Sequence, residues 1–151
     1  MIIASLFGFS SCGTKGSNNF REISFREEKA VRILYNEKEY DGTLKFNGDL
    51  LEMKVFTGEK NEDSFAFSVD IMTCTTTFKG LKKTEQTNKL PWNFMPVVIF
   101  DFFSQTGADF VTELYDEKNK TCSILRKAGN SSVSLEVSQK EDNLIYVLKI
   151  S

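Results

Sequence analysis

Few residues of this chain could carry chemistry, and their types exclude most catalytic classes. The 151 residues include three cysteines and no histidine. The lack of histidine rules out Ser-His-Asp and Cys-His catalysis, histidine-ligated metals and histidine-based pH switching. Cys12, Cys74 and Cys122 lie far apart in sequence, without the close pairs typical of zinc sites. Neither a Gly-x-Ser-x-Gly motif nor a glycine-rich phosphate loop occurs. We therefore expect no enzyme, no metal and no cofactor.

The first twelve residues have the composition of a secretion signal. Residues Met1 to Phe9 carry no charge and are mostly apolar, and two serines precede Cys12. This run is too short for a transmembrane helix, which needs about 20 apolar residues. It suits an apolar signal segment with a small-residue cleavage site. Because no Lys or Arg precedes it, a translation start further upstream stays open.

The segment Phe9-Ser10-Ser11-Cys12 resembles the lipobox of bacterial lipoproteins. In that family the cysteine is acylated with diacylglycerol, and the peptide before it is removed. The resemblance implies that residues 1–11 are a signal peptide and that Cys12 anchors the chain to the extracytoplasmic face of the cell membrane. Residues 12–19 are mostly small and polar, which is typical of a flexible tether. The alternative is a buried N-terminal strand with an incidental thiol.

The remaining residues, 20–151, have the composition of a single globular domain. The chain is 40% hydrophobic and has a net charge of −2, with 19 basic and 21 acidic residues. This balance argues against nucleic acid as a partner. Twelve of the fourteen phenylalanines of the chain lie in residues 20–151, so the aromatic content of the domain is unusually large. The sequence does not identify a protein partner.

The first half of the domain shows the period-two alternation of β-strands. The charged stretch from Arg21 to Glu39 favours a long edge strand because its apolar residues are largely β-branched, with a helix from Arg26 to Leu34 as the alternative. The next alternating runs flank Asn47-Gly48-Asp49, which predicts a hairpin. After Phe65 to Ile71 the inward positions shift to Met72, Cys74 and Phe78, which predicts a turn or bulge near Asp70. Residues 82–89 are predicted to be a polar connector.

One segment, Leu90 to Ser104, is apolar nearly all round. Asn93 can cap a helix, Pro96 would lie in its first turn, and Gly107 is a stop signal. We expect a helix over residues 94–105, with a central strand as the alternative. Four further strands separated by polar turns are predicted to follow as a β-meander. They are Phe110 to Tyr115, Thr121 to Arg126, Ser132 to Val137 and Leu144 to Ile150.

This order of elements resembles a family of small extracytoplasmic lipoproteins with the unclosed β-barrel fold of the lipoprotein-localisation carriers. The residues that carry the resemblance are Tyr40-x-Gly42, Phe65-x-Phe67, Thr76-x-Phe78-Lys79-Gly80-Leu81 and Leu90-Pro91 before the apolar helix. The implied fold class is α+β, a strongly curved antiparallel sheet (an unclosed β-barrel) with one apolar helix packed in its concave face. The resemblance further implies a cavity that holds acyl chains.

The predicted function is binding of a lipid or other apolar ligand in this half-barrel cleft. We expect the lining residues to lie on two strand runs and one helix face, where positions i, i+4 and i+8 converge. They are Phe65, Phe67, Phe78, Met95, Ile99 and Phe103. Two alternatives stay open: these residues form a closed core, and the domain is a cell-surface protein–protein interaction module. Cys74 and Cys122 could form a disulfide or remain two thiols.

Overall fold

A computed structural model of the chain describes residues 22–151. In this range the chain forms twelve β-strands, one α-helix and a short 3-10 helix. The strands are β1 (Ile23–Ser24), β2 (Lys29–Tyr35), β3 (Lys38–Phe46), β4 (Leu51–Thr57), β5 (Asp63–Val69), β6 (Thr73–Phe78), β7 (Leu81–Gln86), β8 (Asp109–Phe110), β9 (Leu114–Asp116), β10 (Thr121–Ala128), β11 (Ser131–Lys140) and β12 (Asn143–Ile150). Helix α1 spans Met95–Thr106, and the 3-10 helix spans Thr87–Lys89.

Ten strands form one sheet in the order β7-β6-β5-β4-β3-β2-β12-β11-β10-β9, while β1 and β8 pair separately. The sheet consists of two antiparallel meanders joined by the parallel pair β2–β12. Its two edges, β7 and β9, do not pair with each other, so the sheet is not closed. The prediction of an α+β chain with a large unclosed sheet, rich in antiparallel pairs, is therefore confirmed.

Local turn chemistry fixes the hairpins that the sequence predicted. The side chain of Asn47 accepts hydrogen bonds from the backbone N–H groups of Asp49 and Leu50, which closes the turn between β3 and β4. The carboxylate of Asp70 accepts hydrogen bonds from the backbone N–H groups of Met72 and Thr73 at 2.7 Å each, which closes the turn between β5 and β6. Such side-chain bonds hold a turn in one geometry and so set the strand register.

Helix α1 begins and ends within one residue of its predicted bounds, but its N-terminal cap differs from the prediction. The capping residue is Phe94, and no side chain caps the helix. The carbonyl of Asn93 accepts a hydrogen bond from the Tyr35 hydroxyl at 2.8 Å, so the helix starts one residue later. Pro96 lies in the first turn, and Gly107 ends the helix at a φ of 93°. That φ is one that glycine adopts without strain.

The predicted long edge strand over residues 21–39 is wrong in two respects. The strand breaks at the charged residues 26–28 into β1 and β2, and β2 lies inside the sheet between β3 and β12. The backbone hydrogen bonds of Phe25 explain the break. Its N–H group donates to the carbonyl of Ala108, and its carbonyl accepts from the N–H group of Phe46, so Phe25 does not extend β2. Val31 and Ile33 of β2 are buried, as an internal strand requires.

Three further predictions need correction. Residues 82–89 are not a connector, because Leu81–Gln86 forms edge strand β7. This strand pairs only with β6, and its polar side chains are exposed. Met72 does not point inward but lies 70% exposed in the turn. The predicted strand Phe110 to Tyr115 is divided into β8 and β9, which pair with β1 and β10 respectively.

Candidate ligand-binding groove on the open face of the sheet

The strands divide their side chains between two unlike faces, because successive residues of a strand point to opposite sides. One side carries the core residues of the strands together with buried residues of α1, and we call it the covered face. Its fully buried members include Phe46, Leu51, Ile99 and Phe103. The alternate positions of β3 to β7 form the other side, which we call the open face. Its members are small, charged or, at Phe56, aromatic. They include Asp41, Thr43, Lys45, Glu52, Lys54, Phe56, Ala66, Ser68, Thr75, Thr77, Lys82 and Thr84.

A groove of about 880 Å³, the polar groove, runs along the open face. Its floor is short side chains of β5 and β6, notably Ala66, Ser68, Thr75 and Thr77. Its walls are long charged side chains from the start of β2, from β3, from β4 and from β7. Short residues flanked by long ones leave space above the strands, and this contrast in length creates the groove.

A second groove of about 540 Å³, the apolar groove, continues along the same face over β2, β3 and β12. Phe56, Ala30 and Ile145 line it, together with Leu144 and Tyr146. Arg32, Asp41 and Asn61 also line it, and the Asn61 amide donates to the Asp41 carboxylate at 3.2 Å. The groove therefore combines a mainly apolar lining with several polar side chains.

Thr43 is the residue where the two grooves meet, since it lines both. Its neighbours across the strands are Ala30 on β2 and Lys54 on β4. Its hydroxyl is buried and has no hydrogen-bond partner among residues 22–151. A buried polar group without a partner costs about 1–3 kcal/mol, so Thr43 marks a point where a ligand acceptor would recover lost hydrogen bonding.

The cations of the grooves fall into two groups. Arg26 forms an ion pair with Asp109 at 2.6 Å, and Arg32 pairs with Glu39 at 3.4 Å. By contrast, the three lysines of the polar groove form no ion pair with any carboxylate of residues 22–151. They are Lys45, Lys54 and Lys82. No ion pair neutralises these ammonium groups, and the carboxylates of Glu27, Glu28 and Glu52 line the same groove.

The six residues predicted to bind ligand lie in two clusters of the covered face. Phe65 stacks on Phe78 with ring centroids 4.2 Å apart and on Phe67 at 6.2 Å. Half-buried Met95 belongs to the same hydrophobic core. Phe103 and Ile99 are fully buried, and Phe103 packs against aromatic rings of β3, α1 and the β1–β2 connection. Of the six, Phe67 also borders the polar groove.

The cysteines within the described residues are both buried. Cys74 is a free thiol, so a Cys74–Cys122 disulfide is not formed. Burial raises the pKa of the Cys74 thiol above its ordinary value, which suits an inert packing residue better than a nucleophile. The predicted lipid-attachment residue, Cys12, lies outside the described residues.

Residues 22–151 contain no cluster of acidic residues and cysteines that could hold a metal ion. The helix of this range is also not long and apolar enough to cross a bilayer. The sequence does not predict the open-face grooves, because the predicted ligand contacts were large apolar residues, aromatic and aliphatic. The available signal was the run of short residues at alternate positions, Ser64-x-Ala66-x-Ser68 and Thr73-x-Thr75-x-Thr77.

Comparison of the chain with protein-family models, with curated proteins and with solved structures finds no match.

Proposed function

We propose that this protein is a membrane-anchored extracytoplasmic lipoprotein whose half-barrel domain binds a lipid or other apolar ligand. The observation that carries the proposal is the apolar groove of about 540 Å³ on the open face. Binding would be passive, because an acyl chain that leaves water gains about 25 cal/mol per Å² of buried apolar surface. No bond is made or broken, and the ligand leaves unchanged.

The half-barrel geometry, with α1 packed in a concave face, is supported by the contacts of the helix. α1 contacts β5 in one meander and β10 and β11 in the other. Six strand spacings separate β5 from β10 in the sheet order, which is about 29 Å in a flat sheet at about 4.8 Å per strand. A helix of 12 residues is only about 18 Å long. A sheet that curves around the helix would bring β5 and β10 close enough for the shorter helix to contact both.

The anchoring part of the proposal rests on the lipobox-like segment before Cys12. Two or more acyl chains give stable anchoring where one gives only marginal binding, and a diacylglyceryl cysteine supplies at least two. The tether, residues 12–19, would let the domain move next to the membrane surface. Localisation at the extracytoplasmic face of the cell membrane follows from this anchor.

The anchor is tested by replacing Cys12 with Ser and fractionating cells. We expect the parent protein in the membrane fraction and Cys12→Ser in the soluble extracytoplasmic fraction, with Cys74→Ser as the matched control that stays membrane-bound. Mass spectrometry of the parent should find a lipid on Cys12. An unmodified Cys12, or a Cys12–Cys122 disulfide, would contradict the anchor because an acylated sulfur cannot form a disulfide.

Ligand binding is tested by native mass spectrometry of the full Cys12→Ser chain, which lacks its own acyl group. We expect lipid to copurify with this Cys12→Ser chain, to which the further substitutions are added. Phe56→Ser changes the apolar groove, whereas Ile99→Trp fills the helix-side cleft predicted from the sequence. Loss of lipid in Phe56→Ser alone would place the ligand on the open face. Loss in Ile99→Trp alone, with stability kept, would place it beside α1. Lipid-free protein in every preparation would contradict the proposal.

The second candidate function is a protein–protein interaction module. It is favoured by three exposed apolar residues near edge strand β9, namely Val111, Leu114 and Leu125 at 59%, 61% and 55% exposure. Such residues on a sheet edge are typical of a surface that a partner covers. If Leu125→Ser abolishes capture of a cell-surface protein while lipid binding is unaffected, the module function is supported.

A further inference from the structure

The chemical character of the open face changes along one cross-strand row. Ala30 pairs with Thr43, and Thr43 pairs with Lys54. The row continues through Ala66 and Thr77 to Lys82 on β7. From Thr43 to Lys82 its side chains offer only hydroxyl and ammonium groups or a methyl. On the other side of Thr43 the apolar groove begins.

The cationic end of this row is available to a ligand. Neither Lys54 nor Lys82 has a carboxylate within ion-pair distance among the residues described. The nearest acidic wall residue on β4, Glu52, lies opposite Lys45 in the neighbouring row. Glu27, Glu28 and Glu52 also line the polar groove, so the positive charge is local to the row that holds Lys54 and Lys82. An anion that contacts Lys54 meets an ammonium group that no carboxylate of residues 22–151 neutralises in an ion pair. The hydroxyl of Thr43, the neighbour of Lys54 on β3, is buried without a hydrogen-bond partner among the same residues.

The apolar end is matched to a narrow hydrocarbon chain. Gly42 and Ala30 line the apolar groove with little or no side chain, while Phe56 and Ile145 border it. The ring of Tyr146 packs against Phe25 on the covered face. Three strand spacings separate β12 from β4 in the sheet order, which is about 14 Å. A chain of medium length fits this distance.

We propose that the open face binds an anionic amphiphile with a single acyl chain. The chain would lie across Ala30 and Ile145 in the apolar groove, and the anionic head group would contact Lys54. A head-group oxygen would accept a hydrogen bond from the Thr43 hydroxyl after a small side-chain adjustment. This proposal deepens the proposed function and rests on it. The shared ligand chemistry is an anionic head, which a free fatty acid or a monoacyl phosphate can supply.

The test is calorimetric titration of the full, delipidated Cys12→Ser chain with four dodecyl probes below their micelle concentrations. They are laurate, dodecyl phosphate, monolaurin and dodecyltrimethylammonium. We expect saturable binding of one or both anions, and binding at least about tenfold weaker for the cation, a difference of about 1.4 kcal/mol. Preference for laurate would indicate a fatty acid, and preference for dodecyl phosphate a phosphate-bearing lipid.

Charge reversal at one lysine sharpens the test. Lys54→Glu should weaken anion binding by at least about tenfold, and the milder Lys54→Gln serves if the first variant is less stable. Lys140→Glu is the matched control, because Lys140 is exposed at the end of β11 outside both grooves. It should leave the affinity within about twofold. Thr43→Val should weaken the anions but not monolaurin.

The outcomes separate the two proposals. If all four probes bind alike and Lys54→Glu has no effect, the anionic amphiphile is wrong while apolar-ligand binding stands. If no dodecyl probe binds at all, the proposed function fails as well.

Discussion

The covered face and the open face are built by the same strands, yet they differ in almost every physical property. On the covered face, Phe25, Phe46, Phe102 and Phe103 are fully buried and meet in edge-to-face and tilted contacts. On the open face, the interleaved residues of β5 and β6 are short and mostly hydroxylated. The comparison teaches that the residues that stabilise the core and the residues that line the proposed binding surface alternate along the same strands, so each set can be changed without the other.

The largest expected difference between the faces is in stability. Phe103 packs between the rings of Phe25, Phe46 and Phe102, with centroids 4.9, 5.6 and 5.1 Å away. Phe103→Ala should lower the free energy of unfolding by about 3–5 kcal/mol, out of a total of about 5–15 kcal/mol. Ser68→Ala, on the open face, should change it by no more than about 0.5 kcal/mol. Urea unfolding followed by circular dichroism measures both, and equal effects would contradict the division into two faces.

A change of intermediate size is expected where the backbones of β3 and β4 approach closely. A methyl group at Gly42 would clash with the carbonyl oxygen of Lys54, so Gly42→Ala must push the two strands apart. We expect a loss of about 1–3 kcal/mol in the free energy of unfolding. Because Gly42 and Lys54 flank the junction of the grooves, probe binding should also weaken. Thr77→Ala is the control, and a neutral Gly42→Ala would show that the strands can move freely.

The smallest effect is expected at the turn that sets which residues of β5 and β6 reach each face. Hydrogen bonds from the backbone N–H groups of Thr73 and Met72 lower the pKa of Asp70 below its ordinary value of 3.8. A carboxyl whose pKa is lowered by folding adds stability above the unfolded-state pKa, and this stability is lost as the pH falls through the folded-state value. After allowance for solvent screening, Asp70→Ala should cost about 0.5–1 kcal/mol at pH 7.

The pH dependence provides the check on Asp70. The difference in unfolding free energy between the parent and Asp70→Ala should shrink between pH 7 and pH 2, because the carboxylate becomes protonated in both states. Asp142→Ala, in the exposed turn between β11 and β12, is the control. A difference that stays constant with pH would mean that the carboxylate charge does not stabilise this turn.

Much of the fold could be predicted from the sequence because local signals were strong. The hairpin around Asn47-Gly48-Asp49 and the turn at Asp70 follow from side chains that bond to their own backbone. The end of α1 at Gly107 was predictable because glycine adopts without strain the φ of 93° that ends the helix. The strands after the helix alternate cleanly between buried and half-buried residues, as in β11.

The errors lie where tertiary pairing overrides local pattern. For β2 the sequence predicts an edge strand because β-branched apolar residues punctuate a charged stretch. Its parallel partner β12, however, comes from the far end of the chain, and no local signal announces such a pair. β7 has no apolar face, so only its pairing with β6 makes it a strand. The polar groove is lined by residues of the five adjacent strands β3 to β7. The positions of threonines and serines along the sequence do not reveal which strands lie side by side.

The parallel pairing of β2 with β12 also has a kinetic consequence. Each meander can form from hairpins that are local in sequence, but the seam between them, from Tyr146–Val31 to Ile150–Tyr35, joins opposite ends of the described chain. Contacts of such long range slow folding, because the loop between them must close first. We expect pulse-labelled hydrogen exchange to show amide protection along this seam last, and early protection there would contradict this order. The hydrogen bonds between β12 and β2 would then be the last to form, and a chain synthesised without the eight residues of β12 would remain two separate sheets.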